Sequence, residues 1–459
     1  MPISENKRLI TEIEKELVKS VPVKLGINKK NEIIRLVYEI CCGRNLSVNK
    51  VIKESGMLEI AKQGKAEFFH KVKKVLLKFR YPSLSADDDP HLMPLKIHQS
   101  GEEYPCWDMQ ISPKSIFVEE SIKNNKWTNK FLEKFPKADV VPIKSYLQGT
   151  KHFIVKDPVD LYNNRRENIF LIKHKSAFIK KCPCTKKCRR CGYWILNIGF
   201  GCPIDCAYCY LQLYSNAPGI VLPANIEDYL DCIRQFDDNL EQRLRIGTGE
   251  FTDSLALDKY TEYSGYLIPF FRKTKNLIFE LKTKAVEIEN VLKIEPHENV
   301  VISWSINTPY IAKNYEKGGA NMMERITAAR RAAERGYKVG FHFDPIVYYP
   351  GWEKEYASII KELFSIEQIR KKTAWISLGT LRYTPGLKQA AERRFSDNSI
   401  FYYGEFFTDI DGKLRYPRML RIEMYNKIIS WIKAEGVLSW IYLCMEPEAV
   451  WAQTVISNR

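Results

Sequence analysis

At 459 residues the chain is about three domain-lengths of ~150 residues each. Hydrophobic residues at 45% and charged residues at 27% exclude a disordered or fibrous chain, and no apolar run approaches the ~18 residues a membrane-spanning helix needs. Lys plus Arg number 71 against 55 acids, a net charge of +16 that fits a polyanion partner such as nucleic acid, or a basic surface kept for solubility.

The first residues, Met1-Pro2-Ile3-Ser4-Glu5-Asn6-Lys7, carry no apolar signal core, so a cytoplasmic protein without membrane contact is expected. Residues 1–80 read as a basic helical module. Leu9, Ile10, Ile13 and Leu17 recur at helical spacing, as do Ile33, Ile34, Val37 and Tyr38, then Phe68, Val72, Val75, Leu76 and Phe79. Such a module could touch nucleic acid or simply present a solvated lysine-rich face. Residues 81–114, with Pro82, Asp87-Asp88-Asp89-Pro90, Pro94 and Gly101, read as a linker. A lead-in segment, 115–192, ends in a run of cysteines.

From 193 to 380 strands alternate with helices. Strands are expected at Tyr193–Ile198, Leu244–Gly247, Leu277–Lys282, Val300–Ile306, Lys338–Phe343 and Trp375–Leu378. Amphipathic stretches lie near Ile226–Phe236, Leu257–Phe271, Val286–Ile294, Met323–Arg335 and Trp352–Leu363. The alternation predicts an α/β fold with a parallel sheet and crossover helices, either an open doubly wound sheet or a partial (β/α)6 TIM-type barrel. In both, chemistry sits at the C-terminal strand ends. Residues 381–459 form a C-terminal extension, with a helix near Leu420–Ile432 and an apolar run, Val437–Leu443.

Seven of the twelve cysteines fall within residues 182–209, a density that points to metal in a reducing compartment. Cys41, Cys42, Cys106, Cys232 and Cys444 are scattered and read as core or incidental thiols. Directly after the first strand comes Gly199-Phe200-Gly201-Cys202-Pro203-Ile204-Asp205-Cys206-Ala207-Tyr208-Cys209-Tyr210, with the spacing Cys-x3-Cys-x2-Cys. Three thiolates on one short loop suit a cubane iron–sulfur cluster with one open iron. A zinc ribbon borrowing Cys191 or Cys188 is the alternative. Just upstream, Cys182, Cys184, Cys188 and Cys191 form a candidate second metal site for zinc or an auxiliary iron–sulfur cluster.

This loop resembles that of the radical S-adenosylmethionine superfamily, and the stretch from Gly201 to Gln212 resembles the cluster loop of the spore photoproduct lyase family. Ser303-Trp304-Ser305-Ile306-Asn307 is similar to that family's fourth strand. Arg325, Gly336 through Phe341, Asp344-Pro345-Ile346 and Gly351-Trp352-Glu353 match its helix–strand–loop stretch. The resemblance spans roughly residues 115–370 and implies a partial barrel with an N-terminal helical extension. It implies a 4Fe-4S cluster on Cys202, Cys206 and Cys209, and S-adenosylmethionine cleaved reductively to a 5′-deoxyadenosyl radical. It also implies cofactor contacts from Gly247, Gly249, Glu250, Lys284, Ser305 and Tyr208, and roles for Tyr208 and Tyr210 on the radical path. A nucleic-acid substrate, DNA above all, and a reductant such as flavodoxin or ferredoxin follow in the same way.

One departure stands out. The family's hydrogen-donor cysteine near the end of the second strand aligns here with Glu250 or Phe251, and no cysteine occurs between Cys232 and Cys444. An ionised carboxylate cannot donate a hydrogen atom. Three readings follow: a lyase acting on a DNA pyrimidine photolesion; radical modification of tRNA, a peptide or a small metabolite; and a non-catalytic zinc-stabilised nucleic-acid-binding protein. For substrate contact the candidates are His342 and Asp344 on the fifth strand, with a satisfied core histidine the alternative for His342, and Tyr348, Tyr349 and Trp352, which either stack on a base or close the barrel mouth.

Overall fold

The computed structural model describes residues 3–20, 24–62, 67–82, 110–151, 153, 158–185, 187–215, 217–409 and 411–456. Most of the expected linker, with Cys106, lies outside these.

All six expected strands form, within one sheet of eight. In chain order they are β1 (Ile179–Lys181), β2 (Tyr193–Leu196), β3 (Leu244–Gly247), β4 (Leu277–Thr283), β5 (Val300–Ser305), β6 (Lys338–Ile346), β7 (Thr373–Thr380) and β8 (Trp440–Leu443). They lie side by side in chain order, with β2 to β8 all parallel and β1 antiparallel to β2. The apolar run after residue 437 thus adds a seventh parallel strand to the six expected.

Side chains alternate across the sheet. Phe279, Leu281, Ile302, Trp304, Phe341 and Phe343 face the crossover helices and are buried in the main core. The opposite, concave face is polar: Arg245, Glu280, Ser303, His342 and Ser377 are all buried on it. A parallel sheet with a polar inner face is a curled half-barrel, whose lumen opens at the C-terminal strand ends. The helices between strands have local reasons to start and stop. Met322–Arg335 begins with Asn321 and Glu324 exchanging side-chain-to-backbone hydrogen bonds, and ends at Gly336, whose φ of 114° requires glycine.

The lead-in segment is more than a connector. Ser115–Glu119, Asp139–Ile143 and Asn168–Ile172 form a second parallel sheet, completed by Ile220–Pro223 from beyond the cysteine loop. These short runs have weak alternation and are separated by brief helices, which hid them from a periodicity reading.

The N-terminal module is helical as expected, and its Ile33, Leu36, Val37, Val51, Val72 and Leu76 make a separate core. It docks onto the barrel through buried charge. Arg80 pairs with Glu405 and donates to the Tyr348 hydroxyl at 3.1 Å, Tyr81 donates to Glu405 at 3.0 Å, and Arg35 donates to the Gly404 carbonyl at 2.9 Å. Removing one partner of a buried pair strands the other. Arg80→Ala is therefore expected to cost about 3–5 kcal/mol, visible as a lowered urea midpoint and new proteolytic cleavage between module and barrel.

Candidate functional site

The cysteine loop leaves β2 and is gripped from both sides. Gly199 and Gly201 have φ of 156° and 96°. At Gly201 the positive φ brings its N–H to the Phe251 carbonyl, 2.9 Å away, beyond the end of β3. Phe200 pairs with Val221 of the second sheet. Asp205-Cys206 pairs antiparallel with Glu316-Lys317, and Ala207 N–H donates to the Tyr315 carbonyl at 2.8 Å.

Arg165 is the loop's internal brace. Its buried guanidinium donates to the carbonyls of Tyr162 and Cys202, both at 2.9 Å, and of Ile204 at 3.2 Å. Asp205 accepts from Arg394 at 2.6 Å and from Arg165 at 3.3 Å. Hydrogen bonds to a charged group each contribute about 1.5–3 kcal/mol. Arg165→Ala is expected to leave the barrel folded while iron retention on gel filtration falls severalfold, checked by an iron count before and after the column.

The three thiols sit in this frame. Cys206 is buried, while Cys202 and Cys209 remain partly exposed. Burial pushes the Cys202 thiol up to about 12, with Asp253 and Cys209 adding to it. Burial raises Cys206 further and Cys209 less. Enclosed thiols of this kind hold their protons until a metal displaces them. Lys284 supplies compensating charge. Burial would lower its ammonium, but Glu316 and Cys206 outweigh that and keep it protonated. Three thiols on one braced loop, with the Lys284 ammonium beside them to offset thiolate charge, form a donor set that fits a three-thiolate 4Fe-4S cluster with one open iron.

The expected cofactor residues gather round it unevenly. Tyr208, Lys284 and Ser305 belong to one network. The Tyr208 hydroxyl donates to Glu316, the Lys284 ammonium lies 5.9 Å from the Tyr208 ring centroid, and Glu316 pairs with Arg325 at 2.6 Å. Arg325 in turn donates to the Ser305 carbonyl at 2.9 Å. Gly247 and Gly249 end β3 where side chains cannot fit: a Cβ on Gly247 would stand 1.9 Å from the Tyr193 hydroxyl, and one on Gly249 would stand 2.9 Å from the Lys282 Cβ. Glu250 is exposed and is an electrostatic neighbour of Cys182 and Cys184, at the mouth of the lumen. The Tyr210 hydroxyl donates to the Arg382 carbonyl at 3.3 Å.

The substrate-contact candidates divide. His342 is a satisfied core residue, held at 2.7 Å by Glu280, and Asp344 accepts from Arg382 at 3.0 Å. Tyr348, Tyr349 and Trp352 do not form an open stacking surface. Tyr349 donates to Thr308 at 2.7 Å, Tyr348 receives Arg80, and Trp352 is 4% exposed against Tyr356 and Trp431. Packing against the N-terminal module and the helix Arg418–Ala434, neither visible from local sequence, takes these rings.

Sequence reasoning missed Asp253, Arg165 and the Glu316–Arg325 pair. Asp253 accepts from the Lys284 N–H at 2.7 Å and the Thr283 hydroxyl at 2.6 Å, fixing the end of β4 beside Cys202. Only its closeness to Glu250 in the chain could have drawn attention. Arg165 sits 37 residues from the carbonyl it braces and carries no local signal.

Comparison with known proteins bears on this arrangement. The family model for spore photoproduct lyase matches residues 111–401. The Clostridium acetobutylicum spore photoproduct lyase is 25% identical over 229 residues, 48% of this chain and 68% of the relative. The Bacillus subtilis enzyme is 28% identical over 201 residues, 42% of this chain and 58% of the relative, so that alignment spans less than two thirds of its length. A solved spore photoproduct lyase complexed with dinucleoside spore photoproduct superposes with a TM-score of 0.63 at 20% identity, covering 72% of this chain and 98% of that one. A mutant with bound AdoMet and the same dinucleoside gives 0.63 over 72% and 99%. On the strength of the matched region, with the three-cysteine loop inside it, the chain belongs to the spore photoproduct lyase family.

Proposed function

We propose that this radical S-adenosylmethionine enzyme acts on a pyrimidine photolesion in DNA. The observation that carries the reading is the enclosed triplet Cys202, Cys206 and Cys209 at the C-terminal end of the first parallel barrel strand, inside a family match of 291 residues (111 to 401). The solved relative binds a dinucleoside spore photoproduct, and the net charge of +16 suits a DNA partner.

Cys202, Cys206 and Cys209 would hold the 4Fe-4S cluster. Gly247, Gly249 and Glu250, with Lys284, Ser305 and Tyr208, would receive S-adenosylmethionine. When bound, the pair supplies a 5′-deoxyadenosyl radical that takes hydrogen from the substrate. The chain's own residues shape and charge the pocket: Lys284 offsets thiolate charge, Glu316 and Arg325 fix Tyr208, and Asp253 sets the turn that places Lys284. Tyr210, hydrogen-bonded to the Arg382 carbonyl, would serve the radical path. A small reductant such as flavodoxin or ferredoxin would supply the electron, and the upstream cysteines would bind an auxiliary metal.

The test is anaerobic reconstitution, then dithionite, S-adenosylmethionine and DNA irradiated to contain thymine photoproducts. Release of 5′-deoxyadenosine together with restored thymine is expected. Deoxyadenosine without restored thymine would move the target to another molecule, as the Glu250-Phe251 departure allows. No deoxyadenosine with a fully loaded cluster would end the enzymatic reading.

A further inference from the structure

The large sheet is a barrel left open along one seam, and the upstream cysteines occupy that seam. Its first edge strand, β1, runs straight on into Cys182, whose N–H donates to the Tyr193 carbonyl at 3.0 Å. Its last edge strand, β8, runs straight on into Cys444, whose N–H donates to the Leu378 carbonyl at 2.7 Å. The two continuations meet across the opening. Cys188 forms a bridge with Pro447, and the Arg189 N–H donates to the Glu446 carbonyl at 3.0 Å.

Four thiols gather at this junction, and they are not the four that sequence spacing suggests. The Cys182 and Cys184 sulfurs are 3.6 Å apart. Cys191 packs beside Val301, Trp375 and Tyr442 on the inner face of the sheet. Cys444 follows Tyr442 by two residues, which turns it to that same face. Cys444 is also an electrostatic neighbour of Cys191 and of Cys182, and Cys191 of Cys184. Cys188 instead faces Arg415, Glu446, Asp411 and Asp409.

We propose that Cys182, Cys184, Cys191 and Cys444 ligate a tetrahedral zinc ion that staples the barrel's two edges together, with Cys444 in place of Cys188. The proposal deepens the reading that the upstream cysteines bind metal. Zinc–sulfur bonds of about 2.3 Å at tetrahedral angles put sulfurs about 3.8 Å apart, and the Cys182–Cys184 pair already has that spacing. A cubane gives each iron one thiolate and would hold the pair farther apart. Among the described residues no third donor completes a single-ion position beside that pair, so binding must bring in the Cys191 and Cys444 sulfurs and release the thiol protons. Four thiolates on a divalent ion leave two negative charges. Arg382, with Nη2 3.7 Å from the Cys444 sulfur, and Arg245, donating to the Cys191 carbonyl at 3.4 Å, offset them.

The test is zinc content and zinc X-ray absorption on the full chain purified anaerobically. One zinc per chain with four sulfurs at about 2.3 Å is expected, unchanged in Cys188→Ser. Cys444→His should keep the zinc with three sulfurs and one nitrogen, a readout that does not depend on a destabilised alanine variant. Loss of zinc in Cys188→Ser, a four-sulfur shell surviving in Cys444→His, or a wild-type chain without zinc would each overturn the proposal. Iron and deoxyadenosine are measured on the same samples. A loaded, active first cluster without zinc would sink the staple and leave the proposed function standing.

Discussion

Cys206→Ala should abolish radical chemistry outright: iron falls from about four per chain to near zero, and 5′-deoxyadenosine formation drops below detection. Cys206 is the most enclosed of the three ligands, and its loop position is pinned by pairing with Glu316. No neighbouring thiol could replace it, because the proposed cluster already uses Cys202 and Cys209 and the loop is braced by Arg165. The barrel itself should survive, since the substitution removes one small side chain from a loop. Unchanged far-ultraviolet dichroism beside a colourless protein is the expected pair of measurements. Iron retained at wild-type level would show that the cluster sits elsewhere.

Glu280→Ala should have the largest effect on stability. Glu280 is fully buried at the centre of the polar lumen, and one carboxylate oxygen accepts from Ser303 at 2.5 Å, His342 at 2.7 Å and the Trp375 indole at 2.9 Å. Burial would raise its carboxyl, but His342, Arg245 and the Ser303 hydroxyl outweigh it and hold it well below the usual range. Burial also pushes the His342 imidazole down, and Glu280 restores only part of that shift. Truncation would take the opposite charge away from buried Arg245 and leave three hydrogen-bonding groups buried without their acceptor, a loss of about 3–5 kcal/mol, read from the urea midpoint. The pH dependence has one sign. A depressed carboxyl contributes stability above its unfolded value and loses it as pH falls; a depressed imidazole likewise favours the fold until protons bind the unfolded chain. Stability should therefore fall steadily as pH drops from 7 through the carboxylate range, and Glu280→Ala should flatten the carboxylate part of that fall, while the imidazole part remains because His342 loses the partner that raises it.

The barrel was legible because its strands are apolar, short and regularly spaced between helices with clear caps, as at Asn321 and Gly336. The family resemblance of the cysteine loop was legible because its three thiols lie within eight residues of chain, inside the matched region. What stayed hidden depends on long-range pairing. Arg165, Glu316 and Arg394 reach the loop from 37 to 189 positions away or through a two-residue ladder, and no local pattern marks them. The second sheet was missed because its last strand, Ile220–Pro223, lies beyond the loop it supports. Cys444 reads from the sequence as a core or incidental thiol, and only closure of the sheet sets it beside Arg382, 62 positions away. For Tyr348, Tyr349 and Trp352 the sequence left stacking and closure of the barrel mouth both open, because aromatic rings there look alike whether they are open or packed; the structure shows them packed.

That threading of the cysteine loop between two sheets has a consequence for biogenesis. Residues 193–196 tie its start to one sheet and 220–223 tie its end to the other, while Glu316 and Arg394 complete its support. A nascent polypeptide still on the ribosome exposes all three sulfurs long before residue 394 emerges, without the shape that spaces them. A cluster on these three sulfurs would therefore find its shaped loop only after residue 394 has been made and folded back onto Asp205.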